Sequence, residues 1–265
     1  MEAEVRRIEQ KYSRYRPDSV LSEINQRAGQ LLEVDAETSA LLGYGRECFQ
    51  QSEGLFDLSS GVLRRAWNFK KAQIPDDHTL KPLLARIGYG RLQVEGHCLQ
   101  MPRDMELDLG GIGKEYAADA AATIARRFGA QWGMVDLGGD LHILGPQPDG
   151  SPWQLGVRHP RLPGEAIASL PVYQGGMATS GDYERYFERD GRRYSHILNP
   201  HSGHPVQHWA SVTVIAPTCL LAGTLSTIAV LKEAAGDAWL SEQNVSALLI
   251  RPDLTLTTLS PEAEF

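Results

Sequence analysis

Apolar and polar positions in the first quarter of the chain follow the helical period. Val5, Ile8 and Tyr12 fall at spacings of three and four and predict a helix over 2–14. A second short helix starts after Asp18-Ser19, residues suited to an N-cap, and a third spans 36–52 and closes at Gly54. The stretch DDHTLKPLLARIG, 76–88, reads as a fourth, with Asp77 as its cap and Gly88 as its stop. Beyond it the period changes to two. RLQVEGHCLQM (91–101) is a hairpin turning at Glu95-Gly96. MELDLGG (105–111), GMVDLGGDLHILG (133–145), WQLGVRHP (153–160), IASLPVY (167–173) and ASVTVIAP (210–217) are strands. A helix from Lys114 to Phe128 separates two of them, another begins near Cys219, and residues 245–260 form a terminal hairpin. Helices first, then strands interrupted by two helices, describe an α+β fold with a largely antiparallel sheet. The chain, 1–265, is expected to be a single domain or two closely packed subdomains.

Charge narrows the partners. The net charge is −7 and the Lys and Arg residues are dispersed, which excludes a basic nucleic-acid-binding face and favours a small or neutral ligand. Cys48, Cys98 and Cys219 are widely separated, lack metal-ligand spacing and read as buried thiols. No apolar run approaches the about 18 residues that a membrane helix needs, and MEAEVRRIEQKYSRY has no apolar signal core. The chain therefore reads as soluble and unexported. Met1 nevertheless opens directly on a helical pattern with no capping residue before it, which points to a start further upstream.

Three polar, glycine-bearing stretches carry the candidate chemistry. LDLGGIGKEYAADAAATIARRF, 107–128, passes through Gly110, Gly111 and Gly113 into a helix. A helix N-terminus presents unpaired N–H groups and partial positive charge, so bare glycines there let anionic oxygens approach the backbone. The same glycines also serve a tight strand-to-helix turn with nothing bound. The spacing fits neither GxGxxG nor GxxxxGK[ST], which excludes the common dinucleotide and triphosphate loops. Gly138-Gly139, about 28 residues on, follows another strand and can bring backbone beside the first turn. Thr179, Ser180, Gly181 and Asp182 form either a bulge or a row of donors along a ligand. His196 lies in an apolar strand: as a structural residue, or as an acid/base or phosphate-contacting group. His201, His204 and His208 are too irregularly spaced for a zinc site.

Taken in order, KYSRYRPDSVLSEIN, GLFDLSSGVLRRAWNF, LDLGGIGKEYAAD, VDLGGDLHILG, MATSGDYERYFERDGRRYSHILNPHSGHP and SVTVIAP…LAGTLST resemble the ApbE family of flavin transferases and span nearly the whole chain. The resemblance implies an enzyme that splits FAD at its pyrophosphate, attaches the FMN half to a threonine of a target protein and releases AMP, using Mg2+. It implies that Tyr15, Leu55, Phe56 and Asp57 border the flavin nucleotide. Gly110, Gly111, Lys114 and Asp119 would wall the pyrophosphate, Ser180 and Gly181 would belong to the adjoining turn, and His196 would be the essential histidine. Gly113, through its carbonyl, and Thr227 would hold the metal. The implied acceptor is a threonine-bearing redox subunit associated with a membrane, or a soluble reductase if the chain stays in the cytoplasm.

Departures from the family pattern are specific. The family's metal-binding aspartate, in a D-x-x-x-T spacing ending at Thr227, is Gly223 here, which removes charge and ligand together. Asp-Pro after the histidine is Asn199-Pro200, and Lys-Gly-Tyr is Lys114-Glu115-Tyr116. Glu115 either restores negative charge near the metal or complements the helix dipole, and the dipole is the preferred reading. These changes give an alternative, a catalytically impaired FAD-binding or flavin-carrier protein. Members of the family are typically periplasmic or lipid-anchored and begin with a signal peptide and a strand. Residues 1–15 show neither, which reads as a cytoplasmic form or a truncated chain whose sheet keeps an unpaired edge.

Overall fold

The computed structural model describes residues 1–261; 262–265, within the expected domain, lie outside the described residues. The chain opens with helices α1 (Glu2–Tyr12) and α2 (Val20–Gln26), strand β1 (Leu31–Glu33), α3 (Ala36–Gln51) and α4 (Asp77–Leu84). Strands β2 (Gln93–Glu95) and β3 (Cys98–Gln100) lead to α5 (Gly113–Arg127). Next come β4 (Gly133–Leu137), β5 (Asp140–Gly145), β6 (Trp153–Arg158), β7 (Ala166–Val172), β8 (Gly175–Gly181), β9 (Tyr186–Arg189), β10 (Arg192–Ser195) and β11 (Ser211–Ala216). Helices α6 (Cys219–Leu231) and α7 (Gly236–Ser241) and the hairpin β12 (Ser246–Ile250) and β13 (Leu256–Leu259) end it. The main sheet is antiparallel throughout, in the order β13-β12-β11-β8-β5-β4. The α+β, largely antiparallel architecture is as expected.

Local chemistry explains most boundaries. Ser19 Oγ accepts from Ser22 N at 3.0 Å and Asp35 Oδ1 from Thr38 N at 2.8 Å, each satisfying an orphan amide at a helix start. In α4 the cap is Asp76, which accepts from Thr79 N at 2.8 Å, so the cap lies one residue before Asp77. Helix α1 stops at Tyr12 because Ser13 is already extended.

Two strand expectations change. Among the described residues, 105–111 pair with no strand. The Asn25 side chain instead donates to Leu107 O at 2.8 Å and accepts from Leu107 N at 2.7 Å, satisfying both backbone groups that a ladder would have taken. Residues 133–145 form two strands because Gly138 and Gly139, with φ of +71° and +94°, adopt the left-handed turn that reverses a hairpin. Cys48 and Cys219 are buried as expected, but Cys98 is exposed, since its strand alternates and only Leu99 faces inward.

Helix α6 is buried on nearly every side between the main sheet and α5, which suits its almost continuous apolar sequence. Its N-terminus is fixed by Asp119 of α5, which accepts from Cys219 N at 2.8 Å and Leu220 N at 2.9 Å while pairing with His142 Nδ1 of β5 at 2.5 Å. Asp119 thus caps a helix and is not among the residues lining the large cleft described below, contrary to its expected place in a pyrophosphate wall. Helix α1 is locked to the same layer through Glu37, which accepts from Arg7 at 2.6 and 2.8 Å, Lys11 at 2.6 Å and Tyr116 of α5 at 2.8 Å. Among the described residues no helix is long and apolar enough to cross a membrane.

Two stability outcomes follow. Hydrogen bonds from Arg7, then from Lys11 and Tyr116, hold the Glu37 carboxyl at about 2, below its usual value of 4.5, against the opposing effect of burial. A depressed carboxylate stabilises the fold above its unfolded pKa, and that contribution is lost as pH falls from 4.5 towards 2. Urea midpoints of Glu37→Gln should therefore fall less steeply than wild type across that window; parallel slopes would contradict the assignment. Asp119→Ala should cost about 1–3 kcal/mol in urea unfolding, because it strands two amides at the α6 N-terminus; an unchanged midpoint would show that other groups hold α6.

Candidate functional site

One cleft of about 1490 Å³ opens between the N-terminal helical layer and the main sheet. It gathers Tyr15, Leu55, Phe56, Asp57, Gly110, Gly111, Gly113, Lys114, Ser180, Gly181, His196 and Thr227, every sequence-predicted site residue except Asp119. Its size exceeds the usual span of small-ligand pockets, up to about 1,000 Å³, and suits an extended ligand.

The glycine turn is built from below. Phe56 is buried beneath it, close enough that a Cβ on Gly111 would meet the ring at 3.4 Å. Asp108 steadies the turn by accepting from Gly110 N at 2.9 Å and pairing with Arg14. Gly113 is the first residue of α5 and lines the cleft, so that helix starts at the cleft, with Gly113 N donating to Leu109 O at 2.8 Å. Asp57 lines the cleft, but its carboxylate is already used: it accepts from Ser59 N at 2.7 Å, Ser59 Oγ at 2.6 Å and Tyr89 N at 3.0 Å. Tyr15 is 75% exposed and accepts from Arg14 at 2.8 Å, with the guanidinium over its ring. The hairpin turn Gly138-Gly139 lies on the same cleft, so the two glycine pairs are brought together as expected.

Across the cleft, Thr179, Ser180 and Gly181 are the last residues of β8, a central strand, rather than a bulge. Ser180 Oγ lies 2.9 Å from both Ser226 Oγ and Thr227 Oγ1, which joins β8 to α6. His196 lies just after β10 rather than within a strand, and it is exposed in the cleft. Crowding by protein atoms, with the positive charges of Arg185, Lys114 and Arg14, pulls its pKa down from 6.5 to about 4. Asn199, a departure from the family pattern, lies outside the cleft lining and accepts from His201 N at 2.9 Å and Ser202 N at 3.2 Å, so it shapes a turn.

Two acidic residues were missed or misread. Asp140, only 4% exposed, pairs with Lys114 Nζ at 2.6 Å, and although burial opposes the lysine's charge, Asp140 holds it above its ordinary range. Glu115 was read as complementing the helix dipole, but its side chain is turned inward and the residue is 7% exposed. Burial and the neighbouring Asp140 push its pKa well up, and Oε2 has no hydrogen-bond partner. The usable signal was the pair of departures taken together, Glu115 gained and Gly223 lost. Among the described residues no group of three or more His, Cys, Asp and Glu forms a metal cage, so any cation here would draw on hydroxyl and carbonyl oxygens as well.

Comparison with known proteins gives the family and the fold. The model of the ApbE family matches residues 1–249. The FAD:protein FMN transferase of Haemophilus influenzae is 31% identical over 99% of this chain and 81% of that protein. The ApbE protein of Thermotoga maritima superimposes with a TM-score of 0.89 at 32% identity, covering 97% of this chain and 88% of that one. The flavinyl transferase ApbE of Pseudomonas stutzeri, in its apo form, gives 0.86 at 31% identity, covering 97% and 84%. Matched in sequence and in fold along nearly its whole length, the chain belongs to the ApbE family.

Proposed function

We propose that this protein is an FAD:protein FMN transferase, which cleaves FAD, joins FMN to a threonine hydroxyl of a redox protein and releases AMP. The observation that carries this reading is the convergence, in one extended cleft, of the α5 N-terminus, Lys114 and His196. The names of the relatives support it.

The chemistry follows from the side chains. The glycine turn lets the pyrophosphate approach backbone amides, and protonated Lys114 adds a fixed positive charge. The threonine oxygen forms a bond to the FMN phosphorus as the bridging P–O bond breaks, and AMP leaves with the bridging oxygen. His196, neutral at physiological pH, can take the proton that the hydroxyl loses. Gly113 and Thr227 would hold Mg2+, and the unpartnered Glu115 oxygen in the same cleft fits a divalent cation. Such an ion supplies charge neutralisation at the pyrophosphate. The flavin-carrier alternative rests on the missing carboxylate at Gly223 and loses its ground because Glu115 presents one against that position.

Two outcomes test the reading. With saturating FAD, Mg2+ and an acceptor, AMP should form, and His196→Ala should lower that rate about 10²–10⁴-fold while leaving FAD affinity within a few fold; no AMP from wild type would overturn the reading. Because the His196 pKa is depressed, the neutral base persists as pH falls through 6.5 and is lost only near 4. NMR titration of the ligand-free protein should find that histidine titrating near 4, and a midpoint near 6.5 would remove it from its assigned environment.

A further inference from the structure

Glu115 and Gly223 occupy one another's space. A Cβ built on Gly223 would lie 2.6 Å from Glu115 Cγ and 3.1 Å from its Oε1. Only a glycine on α6 therefore admits the Glu115 side chain from α5. The carboxylate delivered there is 93% shielded by residue exposure, lines the cleft, and leaves Oε2 without a partner. Leaving a buried carboxylate oxygen unsatisfied costs free energy that folding alone gives no reason to spend. The neighbouring ammonium of Lys114 already pairs with Asp140 at 2.6 Å and is shared between two acids. Thr227 lies four residues after Gly223, on the same face of α6, and lines the cleft with Glu115 and Gly113.

From this we infer that Glu115 is the charged ligand of a divalent, oxygen-seeking cation in the cleft, its carboxylate supplied across the helix pair from α5 to the place that a side chain at 223 would fill. The cation is of the Mg2+ or Mn2+ class, since hydroxyl, carbonyl and carboxylate oxygens select hard ions. What the cation does there rests on the transferase reading; that it binds does not. Position 223 and position 115 are one unit: a carboxylate fits at either, not at both.

The test is Mn2+ binding to the purified chain without FAD, read by electron paramagnetic resonance and calorimetry. Wild type should bind one Mn2+ at this site, and Glu115→Gln, close in shape and uncharged, should weaken it by at least about tenfold. The melting temperature of Glu115→Gln in EDTA should not fall below that of wild type, because it removes a buried acid with an unpartnered oxygen. The double variant Glu115→Gly/Gly223→Asp should bind Mn2+ within a few fold of wild type, and it serves as the deciding variant if Glu115→Gln does not fold. Equal Mn2+ affinity in wild type and Glu115→Gln, or no binding by wild type, would overturn the assignment. A separate FAD titration in EDTA keeps the readings apart: FAD that fails to bind sinks the transferase reading and leaves the Mn2+ result standing.

Discussion

Asp119 accepts two backbone amides at the start of α6 and pairs with His142 on β5, so one side chain of α5 fixes the spacing of two helices and the sheet. Everything on the sheet side of the cleft inherits that spacing. Thr227 reaches Ser180 only because α6 lies against β8, and Glu115 reaches across Gly223 only because α5 lies against α6. A helix buried on nearly every side tolerates little displacement, since closely packed interiors lose contacts with even small gaps. Rigid positioning of this kind is what a site must have if its donors are to meet a phosphate without rearranging.

The cleft also carries features that stability alone would remove. Glu115 and Asp140 are both buried acids, and a single lysine offsets them. Arg14 keeps a buried Nε without a partner beside the glycine turn, although its guanidinium pairs with Asp108. Unsatisfied polar atoms of this sort concentrate where a ligand completes them. Outside the cleft lining, Asn25 closes the backbone of Leu107, while His142 Nε2, Ser195 Oγ and Ser211 Oγ are also buried without a partner.

Much of this was legible in the chain itself because the signals were local. The cap at Ser19, the three-four spacing of α1 and the polar–apolar alternation of β11 all depend on near neighbours. The ordered motifs likewise picked out residues, from Tyr15 to Thr227, that the fold brings to one cleft. What stayed hidden depends on distant partners. Residues 105–111 look like a strand, but Asn25, about 80 residues away in sequence, takes the bonds of Leu107. Asp119 sits in a motif rich in site residues, yet its bonds go to a helix that begins 100 residues later. Glu115 at the start of a helix is ambiguous until the space above Gly223 is seen.

The most direct measurement is mass spectrometry of a threonine-bearing redox acceptor after incubation with this protein, FAD and Mg2+, with AMP quantified in the same samples. Transfer predicts an acceptor threonine carrying one FMN and an equimolar amount of AMP. AMP with an unmodified acceptor would make water the acceptor in place of threonine, and would contradict the transferase assignment.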